Sequence, residues 1–142
     1  MIVRKGTIVL SPQKIYIMNK KIFIFIIVIA ISAAANARNK VTDQSKIETF
    51  NTQFCEVGAV LIGEMIVELR KGVDSSLMLN VINTKLDKNQ VPTATETLEQ
   101  AKSDVRFNVT YERSISRFKD NCLAGRYPSY KFVMDSYAAK FK

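Results

Sequence analysis

The chain of 142 residues carries 21 Lys and Arg against 13 Asp and Glu, a formal net charge of +8, with two Cys, no Trp and no His. The length suits a single domain. Without His, Ser–His and Cys–His nucleophiles are excluded, and the commonest general base and metal ligand near neutral pH is missing. Residues 1–37 hold five of the basic residues and none of the acidic ones, so the remaining 105 residues carry only +3. Most of the charge excess therefore belongs to the start of the chain and is no footprint of nucleic-acid binding.

Met18-Asn19-Lys20-Lys21 is a short positive start, followed by the apolar run Ile22 to Ile31. Ser32-Ala33-Ala34 then leads into Ala35-Asn36-Ala37, a small-x-small site. These are the three parts of a secretory signal peptide in order, with cleavage expected after Ala37. The alternative is an uncleaved anchor. The run from Ile22 to Ala35 is 14 residues, short of the roughly 20 that a spanning helix needs. No stable membrane span is expected in the mature form. Residues 1–17 fit no part of this pattern. Met18 is read as the initiator, residues 18–37 as the leader, and 38–142 as the mature domain, which is expected in the periplasm or outside the cell.

The first mature helix is signalled by Ser45 and Glu48, which fit a capping box. Ile47, Phe50, Phe54, Val57, Leu61, Met65 and Leu69 recur three and four apart, one stripe of a helix over about 46–71. Gly72 after Arg70-Lys71 is a stop. Gly58 and Gly63 inside this helix point to close approach of another helix.

Asp74 offers the next N-cap. Leu77, Met78, Val81, Ile82 and Leu86 give a second helix over about 76–87, and Pro92 marks a break. Thr93 and Glu96 read as another capping box. From there Leu98, Ala101, Val105, Val109 (less well placed), Tyr111, Ile115, Phe118 and Cys122 carry roughly helical spacing to a stop at Gly125. One long third helix is expected. Its centre, Val105 to Tyr111, alternates and is β-prone, so a strand competes there. Ser129 starts a last helix with Phe132, Val133, Tyr137 and Phe141. The fold class expected is all-α, a small bundle of three to four helices.

Cys55 falls on the first helix and Cys122 late in the third. An even cysteine count in an exported chain reads as a disulfide. Closing a loop of about 67 residues stabilises a fold by about 4 kcal/mol in the chain-entropy model. Two cysteines without His make no conventional four-ligand zinc site, and a redox-active pair is ordinarily close in sequence. No metal, cofactor or catalytic residue is expected. Glu64 and Glu68 share a helix face at i,i+4, an arrangement more typical of a solvated surface than of acid–base catalysis. Arg106, Arg113, Arg117 and Lys119 make the third helix basic, but Asp104, Glu112 and Asp120 interleave with them. Asn108-Val109-Thr110 fits a glycosylation sequon and is read as chance.

The aromatic C-terminal segment is the most suggestive binding feature. Tyr130, Phe132 and Tyr137 are candidates for a partner surface, since Tyr covers area while keeping a polar tip. The alternative is that this helix packs on the core. The expected partner is another envelope or secreted protein.

Phe54-Cys55 through Gly72, with Met65, Arg70 and the Ser75-Ser76-Leu77-Met78 entry into the next helix, resembles a group of small secreted bacterial helical proteins. Phe118 and Cys122 fit the same pattern. The resemblance covers about half of the mature chain and implies a single long-range disulfide and no activity. A likeness of architecture alone connects the chain to the small acid-stress chaperones of the periplasm. The reading that follows is a non-enzymatic binding protein, whether inhibitor, immunity-type or chaperone-like. The alternative is a structural or adhesion component of the envelope.

Overall fold

The computed structural model describes residues 42–142. The expected initiator Met18, the leader and the cleavage site after Ala37 lie outside the described residues. Within them the chain forms α1 (Asp43–Arg70), α2 (Ser75–Lys85), α3 (Val91–Arg106), α4 (Tyr111–Leu123), α5 (Pro128–Ala138) and a closing 3-10 turn, Ala139–Phe141. There is no strand among the described residues. The all-α class holds, with five helices where three to four are expected.

The extra helix comes from a break at Phe107–Thr110. Asn108 has φ +51, the left-handed conformation that ends a helix. Its N–H bonds the Val105 carbonyl at 3.1 Å, and the Val109 N–H bonds the Asp104 carbonyl at 2.9 Å. That pair of bonds is a Schellman cap. Thr110 then caps α4 by accepting the Arg113 N–H. VRFNVTY is therefore neither continuous helix nor strand. It is a stop followed at once by a start. Gly72 (φ +87) and Gly125 (φ +70) close α1 and α4 with the same bond pattern, as their sequence positions predict.

Three helix starts differ in detail from the sequence reading. Thr42, not Ser45, caps α1, and its hydroxyl accepts the Ser45 N–H at 3.3 Å. Glu48 instead accepts from the Gln44 amide at 2.9 Å. Pro92 does not break the chain but sits in the first turn of α3, where its missing N–H is no loss. Glu96 forms no capping box with Thr93. It reaches across to accept the Ser129 N–H at 3.0 Å; α5 starts at Pro128 after Tyr127, not at a Ser129 cap, and α3 supplies the side-chain cap that Tyr127 does not. The Asp74 cap is as expected, with Oδ1 accepting the Ser76 N–H at 2.8 Å. These hydrogen bonds to the ionised form hold its carboxyl below the ordinary value.

α1 is the central element, with α3, α4 and α5 packed on it and α2 on α3. Its fully buried line is Cys55, Gly58, Ala59, Ile62, Gly63, Met65 and Ile66. Of the large apolar stripe read from the sequence, only Met65 lies on that line; Phe50, Phe54, Leu61 and Leu69 are half-buried flanks. Small residues run down the closest seam because they let neighbouring helices approach. A Cβ on Gly58 would stand 2.7 Å from the Phe118 ring and 2.8 Å from the Tyr130 ring. A Cβ on Gly63 would stand 3.0 Å from Tyr111 and 3.1 Å from Ile115. Both glycines thus mark close approach. Phe118, Met78, Ile82 and Leu98 fill the rest of the core.

Candidate functional site

The two cysteines meet where α1 crosses α4. Their Cα atoms are 5.6 Å apart and their sulfurs 2.08 Å apart, at disulfide distance. Both are wholly buried. Met134 of α5 closes over them, its Sδ 3.8 Å from Cys55 Sγ. The early helix α1 and the two late helices α4 and α5 thus converge on one point. Nothing in this setting exposes a sulfur to a substrate, which is the geometry of a structural bond.

The C-terminal aromatic residues divide between core and surface. Tyr130 is 2% exposed, so it belongs to the core and is withdrawn from any partner surface. Its ring meets Phe118 edge-on at 5.3 Å and Phe54 at 5.1 Å. Its hydroxyl lies 2.6 Å from Thr97 Oγ1. Thr97 donates its own proton to the Thr93 carbonyl at 2.7 Å, so Tyr130 is the donor in the pair. Burial raises the Tyr130 phenol well above its ordinary value, against the lowering effect of the Thr97 bond. Tyr127, also buried, is raised for the same main reason.

Tyr137 is half-buried and stacks on Phe50 with centroids 3.9 Å apart. Phe141 packs edge-on against Tyr137, and Lys46 lies over the Phe141 ring at 5.6 Å. The last helix is therefore docked on the first half of α1. Phe132 alone of the three candidate residues faces outward, at 73% exposure. A second outward ring, Phe107 at 70%, stands at the α3–α4 corner, with the Arg106 guanidinium 5.7 Å from its centroid. Sequence reasoning assigned Phe107 to the interior of a long helix and so missed it. The signal was Asn108, one residue later.

The basic residues of α4 are largely engaged. Arg117 pairs with the buried Asp104 carboxylate, which also accepts from Gln100 at 2.8 Å. Lys119 reaches Glu56 of α1 at 2.6 Å. Arg70 donates to the Val109 carbonyl, tying the end of α1 to the α3–α4 corner. Glu68 pairs with Lys71 at 3.0 Å. An open polar depression lies on the first half of α1, lined by Ser45, Glu48, Thr49, Thr52 and Gln53, away from Glu64 and Glu68.

Among the described residues no group of three or more His, Cys, Asp or Glu is arranged to hold a metal ion. No described helix is long and apolar enough to cross a membrane. No family model, curated protein or solved structure matches the chain.

Proposed function

We propose that the chain is an exported, non-enzymatic binding protein that acts on another protein of the cell envelope or its surroundings, as an inhibitor, immunity-type protein or chaperone does. The observation that carries this reading is Phe132. Its ring stands in water on a helix whose other aromatic residues, Tyr130 and Tyr137, are committed to the core and to α1. An aromatic side chain presented from a fixed helix is suited to anchor a partner, because little conformational freedom remains to be lost on binding. The leader over 18–37 and the cysteine pair fit an oxidising compartment, where such a bond persists.

Mild cross-linking in the native host followed by purification tests the reading. One stoichiometric protein partner is expected, with binding weakened about tenfold or more by Phe132→Ala, as for an interface anchor. Sedimentation with membrane or envelope polymer, released by salt, would instead make the chain a structural or adhesion component.

A further inference from the structure

Resting on the reading that the chain is exported, we infer that the Cys55–Cys122 bond is a one-way lock on the fold: the oxidant reaches the thiols only while the α1–α4 seam is open, and reductant cannot reach the bond once the seam has closed. Both cysteines are 0% exposed, and so is Ile62 on the same face of α1. Phe118 lies one turn before Cys122 on α4 and is 1% exposed. Met134, 6% exposed, covers Cys55 from α5. A sulfur in this position offers no line of approach for in-line attack.

The chemistry fixes the order. One chain thiolate attacks the disulfide of an oxidant, either a protein dithiol oxidase or a small-molecule disulfide, and expels one of its sulfurs as thiolate. The second chain thiolate then attacks the chain sulfur of the mixed disulfide and releases the oxidant's remaining sulfur as thiolate. Two thiol protons and two electrons leave the chain, and the oxidant takes up both. Each attack needs room for a third sulfur beside Cys55 or Cys122. The closed seam has none, since both cysteines are 0% exposed and Met134 Sδ already stands 3.8 Å from Cys55 Sγ. Oxidation therefore proceeds from conformations in which α1 and α4 have come apart. The bond spans 67 residues, so without it the long segment between the two helices is free to drift apart. After closure, reduction requires opening of the core rather than fraying of an end.

Thiol kinetics on the protein isolated from its native host test this. The oxidised protein should be reduced by dithiothreitol at least about 10³-fold more slowly in buffer than in denaturant, the protection expected for a core opening. The reduced protein in buffer should react with a thiol reagent within about tenfold of its rate in denaturant. Met134→Ala should speed reduction of the oxidised form. Rapid reduction in native buffer would overturn the lock, as would reduced thiols protected as strongly as the disulfide. The N-terminal sequence of the same sample separates the two readings: a retained leader would remove export while leaving the thiol result intact.

Discussion

Gly58 and Phe118 are in contact at a seam where no side chain fits: a Cβ on Gly58 would stand 2.7 Å from Phe118 Cε1 and 2.8 Å from the Tyr130 ring. Both rings are nearly fully buried and have nowhere to go. Gly58→Ala should therefore destabilise the fold by about 1–2 kcal/mol, an overpacking penalty of up to about 3 kcal/mol set against about 1 kcal/mol of helix propensity regained. Gly63→Ala meets Tyr111 and Ile115 at 3.0–3.1 Å. Tyr111 is partly exposed and has room to shift, so this variant should sit near neutral. Urea unfolding followed by circular dichroism measures both. An equal effect at the two positions would contradict the packing argument.

The Tyr130–Thr97 pair makes an asymmetric prediction. Thr97→Val leaves the buried Tyr130 hydroxyl without its acceptor and should cost about 1–3 kcal/mol. Tyr130→Phe removes the donor, while Thr97 keeps its bond to the Thr93 carbonyl, so about 1 kcal/mol is expected. Denaturant midpoints of the two variants give the comparison, and a larger loss in Tyr130→Phe would refute the donor assignment.

The same tyrosine governs alkaline stability. Its folded-state pKa is raised by burial, so its contribution is complete below the ordinary phenol value near 10. Above that pH the unfolded chain releases the proton and the folded chain does not, so stability falls as pH rises. Unfolding free energies measured at pH 8 and pH 11 should show this drop. Tyr130→Phe should reduce it, leaving the part due to Tyr127, which is raised in the same direction.

Asn108, at φ +51, should prefer Gly and resist Ala. Asn108→Gly is expected to be neutral or slightly stabilising. Asn108→Ala should cost about 1 kcal/mol, the penalty of a Cβ in the left-handed region. Thermal unfolding of the two variants suffices. A more stable Ala variant would mean that α3 and α4 are able to join.

Much of the fold is legible in the sequence because its signals are local. Asp74 caps α2 and Gly72 and Gly125 end their helices as their residue types dictate. Gly58 and Gly63 announce a close helix approach. What is not legible is carried across the chain. Glu96 looks like part of its own helix's start, yet it caps α5 by accepting from Ser129. Asn108 performs the stop that Gly performs elsewhere, and a β-prone composition around it hides that role. The buried line of α1 is masked by larger apolar residues beside it, because burial there follows helix proximity rather than side-chain size. Tyr130, Phe132 and Tyr137 look alike in the sequence, and only the docking of α5 on α1 and α3 separates core from surface.

The intact mass of the protein isolated from its native host tests the central claim most directly. The account predicts the mass of residues 38–142 less two hydrogens, unchanged by an alkylating reagent unless the protein is first reduced. A mass that includes residues 18–37, or one that rises on alkylation without reduction, would contradict it.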